Sequence, residues 1–347
     1  MHRARRLRFV VASTRGKWGT RVTAGVAALA LGAAVGAAWR AGSAGADPEQ
    51  PVFAPPEAPT EPLDAVLATA QRAMLDNRPE QAAAVLEAAA NDWPRDPEIW
   101  RALARVRTRL VGDDANALDA FARVIESGGA TAEDFFQGGT AAHQAGEAKQ
   151  AIEWYREAFA RSTRDARPLL FEAQVLIELD RLDEAMTALT RATEIAPFQA
   201  IAWGSLAEVQ LRLDDPTASL ESIARARQLE PRVAAWRTIE ARAHLAMDQP
   251  AAALDALAGV EGVDRLSLPV VRLHARAAEA MGRADVAAQR FIEAAQSKRT
   301  DAALWLEAAQ WVQAAGDTQA ARQLAQHAAM LGSEEAAELV RTLDGDP

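Results

Sequence analysis

ARPLLFEAQVLIELDRLDEAMTALTRATEIAPFQ, residues 166–199, is the stretch on which the fold turns. Leu169, Ala173 and Leu176 are spaced by four and three residues, which places them on one face of a helix. Ala185, Leu189 and Ala192 repeat that spacing nine residues further on, and Pro197 closes the segment. Thirty-four residues therefore read as two amphipathic helices joined by a short turn.

The same face recurs along the chain at a period of 34. Ala151, Ala185, Ser219, Ala253, Ala287 and Ala321 form one column of small residues. Four residues on stand Tyr155, Leu189, Ile223, Leu257, Phe291 and Ala325, and three beyond those Ala158, Ala192, Ala226, Val260, Ala294 and Ala328. Small side chains let neighbouring helices approach, and the large one between them fills the gap. The first helix carries its own column, Gly139, Ala173, Ala207, Ala241, Ala275 and Ala309. Phe135, Leu169, Trp203, Arg237, Val271 and Trp305 precede it by four residues. Arg237 breaks that apolar column, and Trp236 beside it predicts a hairpin rotated or shifted by one residue. Gly146, Gly282 and Gly316 fall in the turns inside units, and Asp214-Asp215-Pro216 and Asp248-Gln249-Pro250 stand in the same place. Before residue 130 the register loosens. Trp100, Leu103 and Ala104 fit a first helix, but Ala117, Phe121 and Val124 need one extra residue between, and Ala82, Leu86, Ala89 and Pro94 suggest one more unit.

This pattern resembles the tetratricopeptide repeat, a 34-residue helix–turn–helix unit with an early large residue, a small residue four later, an Ala–large–Ala second helix and a terminal Pro. The resemblance covers about residues 63–332, roughly eight units, with Glu334–Leu343 as a solvating cap helix. It implies an all-α fold, a right-handed α-solenoid of stacked antiparallel hairpins, with a concave groove of first helices as the binding surface. Candidate groove positions are Arg105, Thr140, Gln174, Glu208, Arg242, Arg276 and Gln310, and four residues earlier Arg101, Phe136, Leu170, Gly204, Thr238, Arg272 and Leu306. Two arginine-rich patches emerge: Arg101, Arg105 and Arg109, read as one helix face, and Arg242, Arg272 and Arg276. Two readings stay open. The guanidinium groups grip the carboxylates of a partner, or they pair within the chain. The chaperone-binding members of the family clamp carboxylates with Lys and Asn, residue types missing here.

Outside the repeats the composition shifts. Residues 1–46 hold eight of the 38 basic residues and none of the 48 acidic ones, so the remainder carries a net charge of −18. An acidic body disfavours nucleic acid as a partner. Val22–Trp39 is free of charge, and eighteen residues at about 1.5 Å each give about 27 Å, close to a bilayer core. With the basic residues in front of it, the run predicts a single-pass bacterial membrane anchor with the repeats on the far, extracytoplasmic side. Ala44-Gly45-Ala46 leaves the second reading open, a signal peptide cleaved near Ala46 and a secreted or periplasmic product. DPEQPVFAPPEAPTEP, residues 47–62, contains six prolines and reads as an extended spacer. The chain thus divides into a basic n-region (1–21), the apolar helix (22–39), a Pro-rich linker (40–62), the superhelix (63–332) and a capping helix with tail (333–347).

Chemistry is sparse. The 347 residues include no Cys, which excludes disulfides and thiolate sites, and five His at scattered offsets. The sequence lacks phosphate-cradling, dinucleotide, zinc-protease and nucleophile-elbow motifs. The expectation is a non-enzymatic interaction scaffold with no cofactor or metal. It would bind a protein or peptide partner, an acidic segment being one candidate. A self-associating array and an accessory subunit that positions a cell-envelope enzyme remain as alternatives.

Overall fold

The computed structural model describes residues 62–110 and 112–345. The anchor and cleavage readings for residues 22–46, and nearly all of the linker, lie outside these residues. Among the described residues every regular element is helical, and none is long and apolar enough to cross a membrane.

Sixteen helices alternate as first and second members of eight sequential pairs. They are α1 (Pro62–Leu75), α2 (Pro79–Asp92), α3 (Pro97–Arg107), α4 (Asp114–Glu126), α5 (Ala132–Gln144), α6 (Ala148–Arg161), α7 (Arg167–Glu178), α8 (Leu182–Ile195), α9 (Ala200–Arg212), α10 (Pro216–Leu229), α11 (Ala234–Ala246), α12 (Pro250–Ala258), α13 (Leu268–Ala280), α14 (Ala284–Ser297), α15 (Ala302–Ala314) and α16 (Thr318–Met330). α17 (Glu334–Asp344) follows them. The chain divides into two compact units between Ala185 and Met186, within α8. In the first unit α1/α2, α3/α4 and α5/α6 pack as hairpins, and each second helix packs on the next first helix. In the second unit α9/α10, α11/α12, α13/α14 and α15/α16 do the same, and α17 covers α16. First helices also touch one another across hairpin boundaries: α1 with α3, α5 with α7, α9 with α11 and α11 with α13.

The 34-residue columns of the second helices are the core. Every member of the three columns, from Ala151 to Ala328, is at most 3% exposed. Ala82, Leu86 and Ala89 in α2, and Ala117, Phe121 and Val124 in α4, carry the same face and are buried too. The turns share one device. Asn77, Gly112, Gly146, Asp180, Asp214, Asp248, Gly282 and Gly316 all have positive φ, between 57° and 94°, and are spaced by 34 or 35 residues. This left-handed residue lets the next amide fold back onto the helix just ended, as in Glu147 N–H to Ala142 O at 2.8 Å and Arg181 N–H to Leu176 O at 2.8 Å. Gly takes that conformation without a Cβ clash, and Asn or Asp tolerates it.

Two local details differ from the sequence reading and a third follows it. First, α3 ends at Arg107, with Gly112 providing the turn, so Arg109 lies beyond the helix. The extra residue needed by the sequence register is absorbed there, and the three arginines do not share one helix face. Second, Trp203 and Trp305, placed by register in the apolar first-helix column, are only half-buried, as is Trp100. Each donates its indole N–H to a carbonyl six residues earlier, Pro94 (2.8 Å), Pro197 (2.9 Å) and Arg299 (3.0 Å), tying the start of a first helix to the preceding loop. Third, Trp236 replaces Arg237 in the core at 2% exposure, as the one-residue shift predicts. Its ring lies over Gly204, where an added Cβ would fall 2.1 Å from the indole. Arg237 instead reaches the end of α12, donating to Ala256 O at 3.5 Å, and its guanidinium occupies the space a Cβ on Gly259 would need. α12 is correspondingly short, nine residues, and a 3-10 turn (Gly262–Leu266) follows it.

Candidate functional site

The first-helix surface is assembled from side chains that reach across hairpin boundaries. On α5, Thr131 and Asp134 form a capping box, the threonine hydroxyl accepting from Asp134 N–H and the carboxylate accepting from Thr131 N–H. Asp134, 3% exposed, also accepts two bonds from Arg101 on α3, from Nε at 2.7 Å and from Nη2 at 2.8 Å. Burial pushes the Asp134 carboxyl up, but the bonds from Arg101 and Thr131 outweigh it and hold it below its ordinary range. Arg167, just ahead of Pro168 on α7, donates to Glu133 on α5 at 2.9 Å and lies over the Phe136 ring, 4.8 Å from its centroid. His143 on α5 meets Glu178 on α7 at 2.8 Å, which keeps that carboxyl below its ordinary range.

In the second unit Arg242 on α11 pairs through Nη1 with Glu208 on α9, itself 4% exposed. Arg272 on α13 forks onto Glu307 of α15, at 3.1 and 2.6 Å. Partners in these pairs are 33 to 35 residues apart, one repeat, so each pair is a rung between successive first helices.

The candidate residues therefore separate into three groups. Arg101, Arg242 and Arg272 are engaged within the chain, and Glu208 is the buried acceptor of one rung. Phe136 and Leu170 are 6% and 5% exposed. Phe136 packs edge-on against Phe171 at 5.1 Å, with Tyr155 of α6 at 6.0 Å, so it underlies the surface. Gly138 and Gly139 make room for Trp154 and Tyr155, whose rings lie 2.8 and 2.7 Å from where a Cβ would sit. Gln174 donates to Glu178 at 3.3 Å. Arg105, Arg109 and Arg276 are exposed and, among the described residues, have no ion-pair partner.

Sequence reasoning overlooked the acceptors: Asp134, Glu133 and Glu307. Only Glu133 left a signal, as an opposite charge 34 residues before Arg167; Asp134 and Glu307 stand 33 and 35 residues from their arginines, off the repeat period. A second buried pair lies off this surface. Glu172, 5% exposed, takes a 2.6 Å bond from Arg156. Burial pushes its carboxyl above the ordinary range despite that bond. Arg156 also lines a shallow depression of about 330 Å³ with Lys149, Ile152, Glu153, Glu157 and Arg181. Three basic and two acidic residues line it, and two of the bases, Arg156 and Arg181, are already paired with Glu184. Among the described residues no group of three His, Asp or Glu could hold a metal ion.

Comparison with known proteins agrees with this geometry. Residues 142–209 match the family model of the tetratricopeptide repeat. The C-terminal part of a TPR repeat-containing protein from Cytophaga hutchinsonii superposes with a TM-score of 0.50 at 14% identity, over 79% of this chain and 99% of that one. It shows the helical-repeat fold. A tetratricopeptide repeat protein from Parabacteroides merdae aligns at 12% identity over 81% and 98% of the two chains, with a TM-score of 0.48. MamA from Desulfovibrio magneticus RS-1 aligns at 20% identity over 48% and 94%, with a TM-score of 0.45. No curated protein sequence matches the chain.

Proposed function

We propose that this chain is a non-enzymatic scaffold that holds a partner polypeptide on its first-helix surface and is tethered to the extracytoplasmic face of a membrane by residues 22–39. The observation that carries the binding part is the pairing pattern. Arg101, Arg107 and Arg167 in the first unit are each neutralised by carboxylates, whereas Arg105 and Arg109 stand exposed without one. On an acidic chain, exposed guanidinium groups without internal acceptors suit acidic groups of a partner. The helical-repeat fold supports the scaffold class, because in each unit the stacked helices offer a continuous side-chain surface.

The binding part is tested by affinity capture with mass spectrometry, using the full chain and its Arg105→Glu/Arg109→Glu variant. Arg101 is left intact, since its loss would strand buried Asp134. Partners captured by the wild type should be depleted with the variant, and unchanged capture would remove this patch from consideration. The tether is tested separately. The chain has no Cys, so Thr300→Cys in the exposed α14–α15 turn supplies a single thiol. A membrane-impermeant maleimide should label it on intact spheroplasts, and labelling only after lysis would place the repeats on the other side.

A further inference from the structure

We propose that the turns inside the hairpins of the second unit form a docking edge for a cationic amphipathic helix of another polypeptide. This surface is opposite in charge preference to the arginine patch of the first unit and stands independently of it.

Leu213, Met247 and Met281 directly follow α9, α11 and α13. Each precedes the left-handed residue of its turn, Asp214, Asp248 or Gly282, with φ of 64°, 57° and 71°. The three turns close alike: Asp215 N–H bonds Gln210 O, Gln249 N–H bonds His244 O and Arg283 N–H bonds Ala278 O, each at 2.9 Å. The three side chains therefore leave equivalent backbone positions. Because α9 touches α11 and α11 touches α13, the turns that end these helices lie in a row along one edge of the unit. Met281 is 42% exposed, and Leu213 and Met247 are half-buried. The turn itself does not demand a large apolar residue at this place. Ala145 before Gly146 and Ala315 before Gly316 occupy it elsewhere, and those turns close by the same bond, Glu147 N–H to Ala142 O at 2.8 Å and Asp317 N–H to Val312 O at 3.2 Å.

Charge selects the occupant. The turns and their flanks (212–216, 246–250 and 279–285) hold five carboxylates against two guanidinium groups. Asp214, Asp215, Asp248 and Glu279 are exposed and among the described residues have no ion-pair partner. Asp215 also caps α10, accepting from Ala218 N–H at 3.0 Å. Apolar side chains set among uncompensated carboxylates suit a segment whose apolar anchors are flanked by Lys or Arg. Spacing selects its conformation. Packed helices lie about 8–10 Å apart, and seven residues of α-helix advance about 10.5 Å and return to the same face. A strand covers that distance in about three residues, which turns the next side chain to the opposite face. Apolar residues one heptad apart on a helix therefore meet Leu213, Met247 and Met281 in turn, and the unbranched methionines adapt to them.

The probe is a fluorescein-labelled three-heptad peptide of Lys, Ala and one Leu per heptad, all leucines on one face. It is titrated by anisotropy into the full chain held in phosphatidylcholine nanodiscs, with empty discs as the blank. A peptide of the same composition, its leucines spread around the helix, is the control and should bind at least about tenfold less tightly. Met281→Ala should weaken binding of the patterned peptide about tenfold, the scale of one apolar anchor. Asp214→Asn/Asp248→Asn should weaken it as well and flatten its salt dependence. Asparagine accepts the left-handed conformation, as Asn77 does, so these turns survive the exchange. No binding to the wild type, equal binding of the two peptides, or binding unaffected by Met281→Ala each overturns the edge. Arg105→Glu/Arg109→Glu should not weaken binding; a loss there would assign the peptide to the first unit and overturn the edge as well.

Discussion

Gly204→Ala isolates the packing that lets Trp236 into the core. Gly204 lies inside α9, and an added Cβ would fall 2.1, 2.5 and 2.7 Å from Cζ3, Cη2 and Cε3 of Trp236. Carbon atoms in contact sit about 3.5–4.0 Å apart, so the ring or the helix must move by more than about 1 Å. Trp236 is 2% exposed, so in a close-packed interior its ring can retreat only by displacing neighbours. Overpacking of this kind costs about 1–3 kcal/mol, and the short distances place it near the top of that range. Replacing glycine in a helix interior returns about 1 kcal/mol, so the net loss is about 2 kcal/mol. Repeat arrays open in pieces, so the effect is best read by hydrogen exchange of α9 and α11 amides. Trp236→Leu removes all three clashing atoms and alone costs about 3 kcal/mol through the cavity it leaves. In the double variant the clash is absent while the gain in helix propensity remains, so its loss should fall short of the sum of the two single losses by about 3 kcal/mol. Additive losses, or a Gly204→Ala protein more stable than the wild type, would refute the assigned contact.

Two further outcomes follow from the electrostatics. His274 on α13 is pushed down to about 4 from its ordinary 6.5 by burial and by Arg290. Between these values the unfolded chain binds a proton that the folded one does not. Its contribution to stability is therefore complete above about pH 6.5 and lost as the pH falls toward 4. An imidazole NMR titration should show the low midpoint, and His274→Gln should flatten the pH dependence in that window; a midpoint near 6.5 would contradict the burial. Asp134→Ala removes a helix cap and both Arg101 bonds, a loss of about 3 kcal/mol measurable by denaturant unfolding. Because the folded Asp134 lies below its ordinary 3.8, its stabilisation holds above that pH and disappears as the pH falls through the folded value.

How legible each feature was depends on how local its cause is. The buried columns of the second helices were readable because a spacing of four and three residues always selects one helix face. The turns were readable at Gly146, Gly282 and Gly316, where glycine announces the left-handed residue. Asn77 and Asp180 do the same work without that signature and passed unnoticed. The course of Arg109 was misread because periodicity carried the α3 face past its true end at Arg107. Trp203 and Trp305 were read into the apolar first-helix column from their register, but an indole N–H needs an acceptor, and the loop carbonyls supply one at the surface.

The amino-acid order by itself determined the helix–turn–helix period, the buried faces and the class of fold, since these arise from backbone geometry and neighbours within one or two turns. The tertiary structure alone decided which arginines are neutralised. Arg101 and Arg105 stand one helical turn apart with the same chemistry. Only the reach of α5 toward α3 puts Asp134 against the first and leaves the second exposed. Charge pairing between side chains a repeat apart is set by distances that stacking creates, and no local pattern contains them.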